Sequence, residues 1–168
     1  MITIDEAGAS DEPAIMRLAR GESLFSPEEA ETVQELLTDY LSAPDHNGYH
    51  FLVARESQEI LGFACYGPTP LTQGTFDLYW ICVDPSARGQ GVGRALMRQV
   101  EDQVRASGGR LLLIETSGRP DYAPTRAFYE RIGAERTALV PEFYGPGDDL
   151  VLYTRRLQRT MVSPPRRN

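Results

Sequence analysis

A mixed α/β fold, a sheet of about seven strands flanked by about four helices, is predicted by three features of this chain. Short apolar, strand-like runs alternate with stretches whose apolar residues recur at helical spacing. The loop Arg88-Gly89-Gln90-Gly91-Val92-Gly93 joins a strand-like run to a helix-like one. Beyond that helix, Leu111-Leu112-Leu113-Ile114 is continuously apolar, as in a strand buried on both faces beside a crossover helix, which makes a βαβ unit.

In chain order, Ile2 to Ile4 reads as a short strand and Asp11 to Ala19 as a helix with Ile15 and Leu18 on one face. Ser26-Pro27-Glu28-Glu29 is a helix start: Ser26 caps, Pro27 takes the first helical position and Glu29 closes a capping box. Val33, Leu36, Leu37, Tyr40 and Leu41 carry that helix to about Ser42, and Pro44 with Asn47-Gly48 ends it. Tyr49 to Arg55 and Glu59 to Tyr66 form a hairpin around Glu56-Ser57-Gln58, stopped by Gly67-Pro68-Thr69-Pro70. Thr75 to Val83 is the longest strand expected. The next helix runs from about Gly91 to Ser107, with Val92, Leu96, Val100 and Val104 as its stripe, until Gly108-Gly109. After the strand Arg110 to Thr116, Pro124 enters the first turn of a helix that ends at Ile132, with Gly133 as a left-handed cap. Two strands, Ala134 to Leu139 and Leu150 to Arg155, are joined by a Pro141 to Asp149 loop. One domain over residues 1–157 is expected, then a basic, proline-containing tail over 158–168.

Composition narrows the function classes. The formal charge of −7, from 24 acidic and 17 basic residues, argues against nucleic acid and anionic lipid as partners and favours a cationic one. No apolar run reaches the roughly 20 residues that span a bilayer, and Met1 to Glu6 lacks a signal-like pattern, so a cytoplasmic location is expected. Cys65 and Cys82 sit inside apolar runs and read as small buried hydrophobes. No metal site is expected.

The glycine loop carries the chemistry. Backbone N–H groups with little side-chain bulk can converge on an anion at a helix N-terminus, where amides lack partners and the dipole is positive. Arg88 and Arg94 bracket that cradle. A nucleotide P-loop would need a lysine, and every basic residue here is arginine; the glycine spacing 89, 91, 93 does not match a Rossmann fingerprint either. A tight turn without a ligand remains the alternative on these residues alone.

Val83-Asp84-Pro85-Ser86-Ala87-Arg88-Gly89-Gln90-Gly91-Val92-Gly93-Arg94-Ala95-Leu96 resembles the pyrophosphate-binding motif of the GNAT N-acetyltransferase superfamily, and Thr125 to Ala134 resembles its Phe-Tyr-Glu-x-x-Gly helix. The resemblance covers roughly residues 1 to 157 and implies the GNAT fold, acetyl-CoA as cosubstrate, and a primary amine as acceptor. It places the pyrophosphate on Arg88, Gly89, Gln90, Gly91, Val92, Gly93 and Arg94. Pantetheine and the acetyl carbonyl fall on backbone groups of Ile81, Cys82 and Val83, with the Ile81 N–H as oxyanion donor. Tyr129 stands where the family has the tyrosine that protonates the departing thiolate; the alternative is a core aromatic beside Phe128. Asp77 falls where the histone acetyltransferase branch has its general-base glutamate, one methylene shorter here; a carboxylate that only attracts the ammonium is the alternative, with Glu115 and Asp121 as rival bases. Tyr122 replaces an asparagine common in the family. Phe143-Tyr144-Gly145-Pro146-Gly147-Asp148-Asp149 partly resembles a peptide-binding loop of the protein N-terminal acetyltransferase branch, keeping one hydroxyl at Tyr144. A small or amino-acid-like amine acceptor is favoured over a peptide N-terminus or protein lysine. A coenzyme A sensor without transferase activity, transfer of a larger acyl group, and a monomer or a homodimer are further readings. Tyr144, Glu115 and Tyr122, with segments 22–25, 66–73 and 117–122, are the acceptor-side candidates.

Overall fold

The computed structural model describes residues 1–43 and 48–157. One seven-stranded sheet runs β1 (Ile2–Glu6), β2 (His50–Glu56), β3 (Glu59–Pro68), β4 (Thr75–Val83), β5 (Leu111–Ser117), β7 (Asp148–Arg156), β6 (Glu135–Gly145) across its width. Every neighbouring pair is antiparallel except β4 with β5, the parallel pair joined through α3 (Val92–Ala106). The remaining helices are α1 (Glu12–Gly21), α2 (Pro27–Ser42) and α4 (Ala123–Arg131), with short 3-10 turns at Ala9–Asp11, Pro85–Ala87 and Pro120–Tyr122.

Successive side chains in a strand point to opposite faces, so the central strands feed two cores. Phe51, Val53 and Phe63 pack with Ile15, Val33 and Leu37 beneath α1 and α2. Leu52, Ala54 and Ala64 pack with Leu96, Val100 and Val104 beneath α3 on the other side. Double-sided burial is why β2 and β3 read as almost unbroken apolar runs rather than alternating ones.

The caps follow the sequence. Ser26 Oγ accepts from the Glu29 N–H at 3.1 Å, and Glu29 Oε2 accepts from the Ser26 N–H at 2.8 Å. Gly133 adopts φ +85° after α4, as expected. Pro44 and Asn47, proposed to end α2, and the 158–168 tail lie outside the described residues.

Two expectations are corrected. The Pro141 to Asp149 loop is mostly strand: β6 continues to Gly145 and β7 begins at Asp148. Glu142 bulges out at φ +53°, its N–H donating to Asp149 Oδ1 at 2.9 Å, so the ladder shifts register and resumes at Gly145 opposite Asp148. Second, β5 is buried on one face only. Leu112 and Ile114 are in the core, whereas Leu113 is half-buried because its side of the sheet faces a cleft.

Candidate functional site

The opening begins at a bulge in β4. Cys65 pairs with Trp80 and Tyr66 with Leu78, which leaves Tyr79 as an extra residue. A bulge bends its strand and strengthens the local twist. Pairing with β5 stops at the same place: Thr75 to Leu78 are hydrogen-bonded to Leu111 to Ile114, and Tyr79–Val83 continue without β5. One edge of β4 therefore keeps main-chain donors and acceptors that an extended ligand can complete.

The gap leads into a cleft of about 770 Å³, walled by the α1–α2 connection, β4, β5, α4 and the β6–β7 hairpin. Asp77, Ile81, Glu115, Tyr122, Tyr129 and Tyr144, each a candidate from sequence, line it. Cys82 instead turns into the α1–α2 core, its Sγ 3.7 Å from the Leu18 carbonyl, and burial pushes its thiol up to about 12. Only its backbone is available to a ligand. Both cysteines are free and buried.

At the end of β4, Gly89 and Gly91 adopt φ +77° and +85°, where a side chain is strained, and nothing lies within 4 Å of where either Cβ would be. That face is open. Gly93 is needed for a different reason, since a Cβ there would lie 3.3 Å from the Phe128 ring. The amides of Gly89 and of Gly91, Val92, Gly93 and Arg94 have no main-chain partner among the described residues, whereas the Gln90 N–H turns inward to the Ala87 carbonyl at 3.4 Å. The cradle thus fits an anion at the start of α3. Arg88 donates from Nε to the Val83 carbonyl (3.3 Å) and from its terminal nitrogen to Glu22 Oε2 (2.5 Å), so its charge is held at the edge of the cradle.

Tyr129 is 6% exposed, with its ring between Phe128 and Tyr153 at centroid distances of 5.5 and 5.9 Å. Its hydroxyl has no hydrogen-bond partner among the described residues, and the residue lines the cleft. Burial, then the neighbouring Tyr122, holds the phenol well above its ordinary value, so it keeps its proton at neutral pH. Tyr122 crosses the cleft and donates to the Leu24 carbonyl at 2.9 Å. The side chain that departs from the family pattern therefore ties the approach to α4 to the α1–α2 connection.

Asp77 enters from the opposite face of the sheet. Phe76 and Leu78 point into the α3-side core that also contains Tyr129, so Asp77 points toward α1 and α2. Its Oδ2 accepts from Thr69 Oγ1 at 2.6 Å, and its charge adds to burial in pushing the Tyr79 phenol up to about 12. Thr69 is how the 66–73 segment reaches the site; none of its residues lines the cleft. Phe143 stands outside the lining, 55% exposed and edge-on to Tyr144.

Sequence reasoning found Glu22 to Phe25 as a wall but missed Glu29 and Asp148 as site residues. Glu29 carried a sufficient explanation as a cap, and Asp148 lay in an expected loop whose pairing was not visible. Asp148 is placed by the Ser117 hydroxyl, which donates to it.

These features, a parallel pair that separates at a bulge beside a glycine-lined helix start, define an acyl-CoA-type transferase fold. The profile of the Acetyltransferase (GNAT) family matches residues 14–134. A protein of Azospirillum brasilense named IAA acetyltransferase is 37% identical over 133 residues, covering 77% of this chain and 78% of that one. The crystal structure of a GNAT-family protein from Desulfovibrio desulfuricans has a TM-score of 0.91 at 43% identity, covering 94% of this chain and 100% of that one. Salmonella typhimurium yncA, solved with its cofactor acetyl-CoA, has a TM-score of 0.76 at 21% identity over 98% of both chains, a likeness of fold. The chain belongs to the GNAT acetyltransferase family.

Proposed function

We propose that this enzyme transfers the acetyl group of acetyl-CoA to a primary amine of a small or amino-acid-like acceptor, by direct attack. The observation that carries this reading is Tyr129, which keeps its proton, has no hydrogen-bond partner among the described residues and lines the cleft where β4 leaves β5. Acetyl-CoA would lay its pyrophosphate on the amides of Gly89, Gly91, Val92, Gly93 and Arg94 beside Arg88, and its pantetheine along the unpaired edge of Ile81 to Val83. The Ile81 N–H stabilises negative charge as it develops on the carbonyl oxygen. Asp77 takes a proton from the acceptor's ammonium, directly or through water, and the neutral amine so formed bonds to the acetyl carbon. As the carbon–sulfur bond breaks, Tyr129 gives its proton to the sulfur, leaving coenzyme A as thiol, and the surplus proton on the new amide nitrogen passes through water to the Tyr129 phenolate. Donor and acceptor thus meet from opposite faces of the sheet, which holds the two reactants in line.

Tyr144 in the lining supports an acceptor with hydrogen-bonding groups beyond its amine, and a peptide N-terminus is the second reading on that ground. The test is release of free thiol from acetyl-CoA against polyamines, amino acids, aminoglycosides and short peptides with free or blocked N-termini. Turnover with one class names the acceptor. Failure to bind acetyl-CoA by calorimetry overturns the reading of the glycine loop.

A further inference from the structure

We infer that the acceptor is a dication: besides the amine that is acetylated, it carries a second positive charge that rests among Glu29, Glu115 and Asp148 against the Tyr144 ring. This rests on the acetyltransferase reading above and adds the acceptor's charge to it.

Among the described residues five carboxylates line the cleft, on Glu22, Glu29, Asp77, Glu115 and Asp148, with Arg119 as the one lining cation. Glu22 is answered by Arg88, and Arg119 is engaged outward by Asp121 at 2.6 Å. The other four have no cationic partner among the described residues. Glu29 accepts from a main-chain N–H and Asp148 from the Ser117 hydroxyl, while Glu115 is exposed. Neutral donors orient a carboxylate without cancelling its charge.

Three of the four converge on one place. Glu29, Glu115 and Asp148 line the same cleft as Tyr144, and after burial itself their charges, then that of Tyr122, push its phenol up to about 12. The ring is therefore neutral at physiological pH, and an aromatic face bordered by carboxylates attracts an ammonium or guanidinium. Tyr129, more than nine-tenths buried and with a hydroxyl that has no hydrogen-bond partner among the described residues, lines the same cleft and independently points to a ligand there.

The spacing suits two charges on one short chain. Leu112 and Ile114 pack in the α3-side core, so Leu113 and Glu115 share the face occupied by Asp77, and Asp77 is in register with Leu113. Glu115 lies two residues further on, about 7 Å along the strand and the reach of roughly four methylene groups. An acceptor with its reacting nitrogen at Asp77 therefore carries its second charge to Glu115.

Thiol release from acetyl-CoA with putrescine against butylamine tests this directly. We expect kcat/KM for putrescine to exceed that for butylamine by about 30-fold at low ionic strength and the ratio to shrink with added salt. Glu115→Gln and Asp148→Asn should each lower the ratio about threefold. Equal kcat/KM for the two amines, or a ratio insensitive to both substitutions, overturns the dication while leaving the acetyltransferase reading in place. If neither amine is acetylated, calorimetry of putrescine against the enzyme with coenzyme A decides: salt-sensitive binding weakened by Glu115→Gln supports the second-charge site, and absence of binding overturns it. Failure of acetyl-CoA itself to bind removes the reading on which the inference rests.

Discussion

Replacing Tyr129 by phenylalanine separates catalysis from packing, because the structure predicts opposite effects on the two. The ring is held by Phe128 and Tyr153, and phenylalanine keeps both contacts. The hydroxyl makes no hydrogen bond among the described residues, and leaving a buried polar group unsatisfied costs about 1–3 kcal/mol. Its removal should therefore leave Tm unchanged or raise it by a few degrees, at about 2–4 °C per kcal/mol for a chain of this size. Proton transfer by a positioned side chain contributes about 10²–10⁴-fold, so kcat should fall by at least tenfold. Coenzyme A affinity should barely change, since on the proposed reading Tyr129 meets the thioester, and none of residues 88–94 lines the cleft that Tyr129 lines. The assay is thiol release with a saturating amine, with calorimetry of coenzyme A and a thermal melt on the same preparation. Unchanged kcat would refute the proton-donor role. A parallel fall in kcat and Tm would show that the hydroxyl has a packing function instead.

Asp77→Asn should lower the rate most at low pH, where more of the amine is protonated and must lose a proton; a wild-type to variant ratio constant across pH would remove Asp77 as the base. Gly91→Ala meets no atom within 4 Å but forces a side chain to φ +85°, so it should cost about 1 kcal/mol of stability. The methyl also stands on the open face of the cradle, and coenzyme A affinity should fall by more than that strain accounts for; an unchanged Kd would place the pyrophosphate elsewhere. Tyr79, Tyr122 and Tyr144 are each pushed up to about 12 from an ordinary value of 10.0, first by burial and then by neighbouring charges. The unfolded chain ionises these phenols before the folded one does, so their contribution to stability is complete below pH 10 and is lost as pH rises from 10 toward 12. Urea midpoints should drop across that window, less steeply in Tyr122→Phe; equal slopes would assign the loss to other groups.

How far the sequence announces this molecule depends on how local the cause of each feature is. Ser26 and Glu29 satisfy each other within one turn, Gly133 supplies its own backbone freedom, and the apolar periods of β2, β3 and α3 follow from faces that each element buries. All were legible. The glycine cradle was legible for the same reason, since residues 88–94 bring their own amides together. The mouth of the cleft was not. Glu29, Glu115, Tyr144 and Asp148 come from α2, β5, β6 and β7, and they meet because β4 bulges at Tyr79 and releases β5, while β6 runs on through its bulge at Glu142 to carry Tyr144 beside Asp148. Bulges are register events between strands, and neither Tyr79 nor Glu142 has a composition that marks one. On the proposed reading, the donor half of the site is therefore encoded in a contiguous segment, whereas the acceptor half is encoded in strand pairing. That division is consistent with one family keeping a fixed thioester site while its members differ in the amine they accept, because changing a register or a hairpin leaves residues 88–94 untouched.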